Sequence, residues 1–193
     1  MVATRVERRL AAILAADVVG YSRLMERDEG GTLARLKAHR KELIDPLVAE
    51  HQGRIVKLMG DGALVEFSSV LSAVECAIAV QEGMAERNTG VAVEDQINFR
   101  IGINLGDVIV DGADIYGDGV NIAARLEQLA PPGGVCISAP VFEQIGDRTP
   151  AVFEDLGAQQ VKSLIRPIRV WRWVSNCAGG AAPSQLPAVP VGR

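Results

Sequence analysis

An apolar run at residues 11–19, interrupted only by Asp17, constrains the fold more than any other segment of this chain. A run of this length and composition predicts a buried β-strand. A carboxylate near the end of such a strand is costly to bury unless it is paired with a cation or bound to a metal ion. The run therefore predicts both a packed core and a polar site at the end of the strand.

The composition indicates one globular domain. The chain has 193 residues, of which 48% are hydrophobic and 23% are charged, enough for a substantial core. Its net charge of −4 argues against a general nucleic-acid binder, because such proteins are usually basic. The cysteines Cys76, Cys136 and Cys177 lack disulfide or zinc-site spacing. We see neither a membrane-spanning apolar run nor a signal peptide, and we expect a cytoplasmic location.

Hydrophobic periodicity predicts short strands interleaved with helices and two hairpins. The hairpins turn at Gly60-Asp61-Gly62 and Gly106-Asp107, and Pro46 should kink the first long helix. This order predicts an α+β sandwich, with helices covering a mostly antiparallel sheet. The predicted elements are a strand at 11–19, a helix at 28–51, a hairpin at 54–67, a helix capped by Ser68 or Ser69, a hairpin at 99–110, a helix at 120–129, strands at 135–138, 151–156 and 168–174, and a short helix at 141–145.

The composition changes at Asn176, after which the chain is rich in Pro, Gly and Ala and carries a charge only at Arg193. Such a composition favours a flexible linker. We therefore expect residues 1–175 to form the functional domain and residues 176–193 to form a flexible tail. A further domain could follow the C-terminus.

Two carboxylates are candidate metal ligands, Asp17 at the end of the first strand and Asp61 in the first hairpin turn. Taken singly, each has a structural explanation, since Asp suits tight turns. As a pair on adjacent strands, they could hold two Mg²⁺ or Mn²⁺ ions through hard oxygen ligands.

The segment after Asp17 enters a helix, where consecutive backbone N–H groups can hold phosphates. The amides in question belong to Val18, Val19, Gly20 and Tyr21.

Three further polar residues stand out by their positions. Lys57 interrupts the apolar pattern of a predicted strand, and it is either an edge charge or a functional donor. Asn121 and Arg125 share a helix face behind a glycine-rich entry, which suits recognition of a sugar and a phosphate. By spacing alone, a surface patch of Arg125 and Glu127 is the simpler interpretation.

The ordered set Asp17, Lys57, Asp61, Asp114, Asn121 and Arg125 resembles the catalytic signature of class III adenylyl cyclases. The similarity covers residues 11–174, and six matches in order form a specific signal. The resemblance implies a ferredoxin-like, palm-type sandwich, the cyclase homology domain. The chain departs from the family at Ala15, where a large aromatic residue is usual.

By this resemblance, Asp17 and Asp61 are the metal-binding aspartates, and Lys57 and Asp114 read the adenine edge. The implied activity is the conversion of ATP to 3′,5′-cyclic AMP and pyrophosphate with two divalent ions, Mg²⁺ or Mn²⁺.

The resemblance gives the remaining residues roles around the sugar and the phosphates. Asn121 is similar to the residue that orients the ribose, Arg125 to the one that stabilises the transition state, and Lys162 to the lysine that contacts the terminal phosphates. The family further implies a head-to-tail homodimer with sites composed of residues from both chains.

Three alternatives stay open. A guanylyl cyclase of this family usually carries Glu and Cys where this chain has Lys57 and Asp114. A palm-type polymerase or diguanylate cyclase should show a Gly-Gly-Asp turn, which is absent from the sequence. A non-catalytic nucleotide-sensing or dimerising module should lack a metal aspartate, Asn121 or Arg125.

Overall fold

One antiparallel pairing runs through the centre of the fold. The computed structural model describes residues 7–161 and 166–175. Strand β1 (Glu7–Val18) pairs along its whole length with β4 (Phe99–Asp111), from Glu7 opposite Val110 to Val18 opposite Phe99. The apolar run of β1 is thus explained by its position inside the sheet, with the predicted acid Asp17 at its end.

The other strands extend this pair into a single sheet. They are β2 (Arg54–Met59), β3 (Gly62–Phe67), β5 (Asp114–Tyr116), β6 (Val135–Ser138), β7 (Phe153–Gln159) and β8 (Ile168–Trp173). The order is β2-β3-β1-β4-β6-β8-β7, and β5 pairs with β4 outside this path. Within the described ranges, β4 and β6 are the only parallel neighbours. The predicted mostly antiparallel α+β sandwich is confirmed.

Helices cover the two faces of the sheet unequally. They are α1 (Tyr21–Arg27), α2 (Glu29–His39), α3 (Asp45–Glu50), α4 (Val70–Asn88), α5 (Asp118–Leu129) and α6 (Ala139–Ile145). The larger core lies on the α4 side and includes Phe67, Val74 and Ile103. On the opposite face, the α5 residue Ala123 and the β5 residue Ile115 belong to a smaller core.

Helix α5 packs directly on the backbone of β4 at Gly102. A side chain at Gly102 would overlap the backbone nitrogen of Glu127 and the carbonyl oxygen of Ala123, and its Cβ would lie 2.7 Å from the carbonyl carbon of Leu126. Only a residue without Cβ permits this contact. The position of α5 over the sheet is therefore set by a glycine on the strand.

The predicted turn at Gly106-Asp107 is wrong. β4 continues through these residues, which pair with Ala11 and Leu10 of β1, and the hairpin turns at Gly112-Ala113 instead. Gly106 serves packing, because a Cβ there would lie 3.1 Å from Cα of Gly119 at the start of α5. The glycine that resembled a turn signal allows a second close approach of the same helix.

The predicted helix at 28–51 is present as α2, a π-helical segment (Arg40–Ile44) and α3. Pro46 lies at the start of α3. Proline lacks the N–H and its ring clashes with the carbonyl four residues earlier, so the wider π turn accommodates it. The other predicted elements agree with the structure apart from their ends. No helix in the described part of the chain has the length and apolarity for a membrane crossing. The predicted tail at 176–193 lies outside the described residues.

The close contact at Gly102 yields a stability prediction. Gly102→Ala should destabilise the fold by about 3 kcal/mol, since the methyl group meets backbone atoms that cannot turn aside. The matched control is Gly30→Ala, because a Cβ at Gly30 in α2 meets nothing within 4 Å. That variant should stay within about 1 kcal/mol of the original chain. Urea unfolding of both variants checks this, and equal stabilities would contradict the packing described here.

Candidate active site

Asp17 and Asp61 lie next to each other at one end of the sheet. β1 and β3 pair as far as Ala16 opposite Ala63, which places the turn residue Asp61 beside Asp17. Hydrogen bonding to Asp17 is among the causes that raise the pKa of Asp61. Because an ionised carboxylate only accepts hydrogen bonds, this contact favours a protonated Asp61. The structure thus brings together the two predicted metal ligands.

The environment of Asp61 disfavours its ionised form. Burial, and then the hydrogen bond to Asp17, raise the pKa of Asp61 to about 6. Two carboxylates in one site resist simultaneous ionisation, and a nearby cation relieves that repulsion. The pair is therefore a place where positive charge is favoured.

Two further charged residues, Arg100 and Glu127, join this site. Arg100 lies opposite Asp17 in the β1–β4 pairing, and its Nη2 is 3.5 Å from Oδ2 of Asp17. Its Nε is 3.1 Å from Oε1 of Glu127 on α5. Sequence reasoning missed this contact, although Arg100, Gly102 and Asn104 share one strand face, the face that α5 covers.

Glu127 is a buried acid. The residue is 6% exposed, and burial raises the pKa of its carboxyl to about 7 while Arg100 opposes that shift. Neither Oε1 of Glu127 nor Nε of Arg100 has an aligned hydrogen-bond partner among the described residues. Attraction between charges, rather than a directed hydrogen bond, therefore holds the two side chains together. The simpler interpretation of Glu127 as part of a surface patch does not fit this burial.

Lys57 and Asp114 form a second, separate group. Nζ of Lys57 lies 3.1 Å from Oδ2 of Asp114, although 57 positions separate the residues in sequence. Arg54 explains part of this contact, because its Nη1 donates to the carbonyl oxygen of Ala113 at 2.9 Å and ties the β4–β5 turn to β2. The structure places a donor and an acceptor side by side, and their reading of an adenine base stays a prediction.

Tyr116 completes this second group. Its hydroxyl donates to Oδ2 of Asp114 at 2.9 Å. The pKa of Asp114 is lowered, first by this hydrogen bond and then by Lys57, and the hydrogen bond to Asp114 raises the pKa of Lys57. The sequence contained the signal for Tyr116, since residues two apart on a strand share a face.

Asn121 and Arg125 lie on the outer side of α5. Asn121 is exposed, and Nη1 of Arg125 donates to Oε1 of Gln128 at 3.1 Å. At about 100° per residue, Arg125 lies roughly 200° around the helix from Glu127. Because Glu127 faces the Arg100 side of the sheet, Arg125 points away from Asp17. Within the described residues, no hydrogen bond or ion pair joins Asn121 or Arg125 to the acidic pair.

The predicted phosphate-binding amides fall into two groups. The N–H of Val18 donates to Oδ1 of Asp17 at 3.0 Å, and the N–H of Val19 donates to the carbonyl oxygen of Asn98 at 2.8 Å. These two amides are used within the chain. Gly20 and Tyr21 lie at the start of α1, whose first amides have no intrahelical partner. A phosphate role stays a prediction for them. Lys162 lies outside the described residues.

The sheet with an acidic pair at the end of its central strand has the architecture of a palm-type α+β catalytic domain. Residues 5–171 match the adenylate and guanylate cyclase catalytic domain family. This chain belongs to that family.

Relatives and solved structures agree with this membership. A Rhizobium meliloti protein provisionally named adenylate cyclase 3 is 50% identical over 96% of this chain and 33% of its own length. An adenylate cyclase of Streptomyces coelicolor is 34% identical over 72% of this chain and 35% of its own. This chain therefore spans about a third of these curated relatives.

Among solved structures, an adenylate/guanylate cyclase/hydrolase from Silicibacter pomeroyi has a TM-score of 0.84 at 49% identity, covering 89% of this chain and 100% of that one. The adenylyl cyclase CyaB from P. aeruginosa has a TM-score of 0.77 at 25% identity, covering 92% and 100%. Both likenesses extend across the whole fold described above.

The raised pKa of Asp61 yields a pH prediction. A native pKa near 6, above the ordinary value of 3.8, means that the folded state binds this proton more tightly than the unfolded chain. Stability from this group is therefore present below about pH 4 and is lost as the pH rises through about 6. With a metal chelator present, the free energy of unfolding of Asp61→Asn should exceed that of the original chain by about 1 kcal/mol at pH 7.5. The two should match near pH 4.

Urea unfolding at the two pH values measures this difference. Asp147→Asn, which changes an exposed acid outside the site, is the control and should show no pH-dependent gain. A constant offset between Asp61→Asn and the original chain at both pH values would argue against the raised pKa of Asp61.

Proposed function

We propose that this domain is an adenylate cyclase, which converts ATP to 3′,5′-cyclic AMP and pyrophosphate. The observation that carries the choice of ATP is the contact between Lys57 and Asp114. An ammonium donor beside a carboxylate acceptor matches adenine, whose ring nitrogen accepts and whose exocyclic amine donates. The relatives from Rhizobium and Streptomyces, both named as adenylate cyclases, support the same activity.

The acidic pair fits the divalent ions that this family implies. Asp17 and Asp61 offer hard carboxylate oxygens, and the raised pKa of Asp61 indicates a place where added positive charge is favoured. Mg²⁺ typically uses one or two protein carboxylates and completes its shell with water and substrate phosphates. Asp17 and Asp61 would hold two Mg²⁺ or Mn²⁺ ions. When bound, such ions lower the pKa of the attacking ribose hydroxyl and neutralise charge on the triphosphate.

The other assigned residues bind and orient the nucleotide. Asn121 would hold the ribose so that its 3′-hydroxyl lies in line with the α-phosphorus, an orientation effect worth several kcal/mol. Arg125 would stabilise the charge that develops on the α-phosphoryl oxygens. The amides of Gly20 and Tyr21, together with Lys162, would contact the remaining phosphates.

We further propose that each site is shared by two chains in a head-to-tail homodimer. Asn121 and Arg125 face away from the acidic pair of their own chain, because Glu127 turns the opposite side of α5 towards Arg100. A second chain can present its Asn121 and Arg125 to that pair. Exposed apolar side chains next to Lys57, Leu58 at 43% and Met59 at 51%, suit burial in such an interface.

An assay of the purified domain tests the activity. With Mn²⁺ and ATP it should form cyclic AMP, detected by mass spectrometry, and GTP should be a poor substrate. Asp17→Ala and Asp61→Ala should each reduce turnover by about 100-fold or more while remaining folded by circular dichroism. Cyclic GMP as the main product would indicate a guanylate cyclase. No cyclic product from either nucleotide would favour a nucleotide-sensing module.

The base assignment predicts a shift in specificity. Lys57→Glu combined with Asp114→Cys should lower kcat/KM for ATP by about tenfold or more and raise the ratio of GTP to ATP turnover, because unpaired buried polar groups discriminate strongly. Lys41→Glu makes the same charge reversal on the exposed helix surface and should change neither quantity. An unchanged ATP preference in the double variant would show that other residues read the base.

The shared-site arrangement predicts complementation. Asp17→Ala and Asn121→Ala subunits, each inactive alone, should regain about a quarter of normal activity when mixed, since about half the dimers are mixed and each mixed dimer has one intact site. A mixture of Asp17→Ala with Asp61→Ala subunits is the matched control, because both lesions fall on the same half of the site. It should stay inactive. No recovery in the first mixture, with mixed dimers verified by mass, would place the whole site within one chain.

A further inference from the structure

Arg100 lies between two acids and is closer to the one outside the proposed metal pair. Its Nε is 3.1 Å from Glu127, whereas its Nη2 is 3.5 Å from Asp17. Sequence pattern and family resemblance gave Glu127 no role in the site. Glu127 contacts only part of the Arg100 guanidinium. It therefore affects how strongly the rest of that guanidinium interacts with Asp17.

The position of Glu127 is fixed more firmly than that of Arg100. Its backbone nitrogen lies against Gly102, on the same strand face as Arg100 and two residues along β4. The side chain of Glu127 is 8% exposed, compared with 29% for Arg100. The carboxyl group of Glu127 is therefore fixed in position, and the longer guanidinium arm adapts to it.

The charges around Asp17 give the direction of the effect. Among the residues that the structure describes, Asp17, Asp61 and Glu127 are the acids that face Arg100, and Arg100 is the cation that faces them. A guanidinium free of Glu127 would become the full counterion of Asp17. It would then compete with any divalent cation for the same carboxylate.

We infer that Glu127 is a positioning residue: by holding the guanidinium of Arg100, it keeps Asp17 available to a divalent cation. This inference rests on the metal assignment in the proposed function. It extends that assignment to a residue of α5, the helix that also carries Arg125.

Titration of nucleotide-free protein with Mn²⁺ tests the inference, with the paramagnetic resonance signal of free Mn²⁺ as the readout. Glu127→Gln keeps the size of the side chain and removes its charge. It should raise the Kd for Mn²⁺ by about tenfold, within the range of coupling between contacting charges. Thermal unfolding confirms that the variant is folded. If it is not, Glu127→Met, of similar volume, replaces it with the same expected loss.

A double-mutant cycle separates positioning from a simple loss of negative charge. In the Arg100→Gln background, adding Glu127→Gln should change the Kd by less than about twofold, because no guanidinium is left to hold. A tenfold effect that persists in this background would show that Glu127 acts directly on the ion and would overturn the inference. An unchanged Kd in the single Glu127→Gln variant would overturn it as well.

Asp17→Ala is the reference for the metal assignment itself. The cycle is interpreted only if the original chain binds Mn²⁺ and Asp17→Ala abolishes that binding. If the original chain shows no such binding, the metal assignment of the proposed function fails, and this inference fails with it. If that binding is present and insensitive to Glu127→Gln, only the inference fails.

Discussion

The backbone contact between α5 and Gly102 is the constraint on which the rest of the site depends. It brings the helix close enough to β4 for Glu127 to reach Arg100 at 3.1 Å, and Arg100 in turn approaches Asp17. The same contact decides which side of α5 faces outward. Arg125 lies nearly opposite Glu127 around the helix, so the packing that brings Glu127 to Arg100 turns Arg125 towards solvent. The proposed sharing of each site by two chains would thus follow from helix geometry within one chain.

The two polar groups differ in how their charges are balanced. Lys57 and Asp114 neutralise each other, and Tyr116 holds the acid in place, so this group is satisfied in the free chain. Asp17 and Asp61 are two acids side by side, the pKa of Asp61 is raised, and Arg100 beside them is also held by Glu127. The pair of Lys57 and Asp114 is suited to recognising a neutral base through paired hydrogen bonds. The acidic pair is suited to binding added positive charge.

Much of the fold was predictable because its signals are local. Three elements depend only on neighbouring residues: the apolar run of β1, the Gly60-Asp61-Gly62 turn and a serine cap at Ser68 or Ser69. The structure confirms them, with Ser69 as the cap. The second hairpin was misplaced because Gly106 packs against Gly119, a contact that spacing does not reveal. The π-helical segment (Arg40–Ile44) was not predicted, because Pro46 indicates that the helix is disturbed but not how the backbone adapts.

The candidate site divides in the same way. In the sequence, Asp17 and Lys57 stand out because each interrupts an apolar pattern. Arg100 does not stand out, because its strand alternates polar and apolar residues. The contact between Arg100 and Glu127 becomes visible only when α5 is placed over β4, since 27 positions separate the two residues in sequence. Whether Glu127 is a surface charge or a buried one is likewise decided by the strand beneath it, where Gly102 removes the side chain that would hold the helix away.

The charge balance also couples the binding of the two ligands in the proposed complex. The chain carries a net charge of −4, and a triphosphate that approaches Asp17 and Asp61 meets acids that Arg100 only partly neutralises. Nucleotide and divalent cation must therefore favour each other's binding, and by linkage the coupling free energy is the same in both directions. Glu127 enters this coupling from the protein side. By drawing Arg100 towards α5, it leaves the acidic pair to attract the divalent cation, so that triphosphate affinity beside Asp17 depends on the ion more than on Arg100.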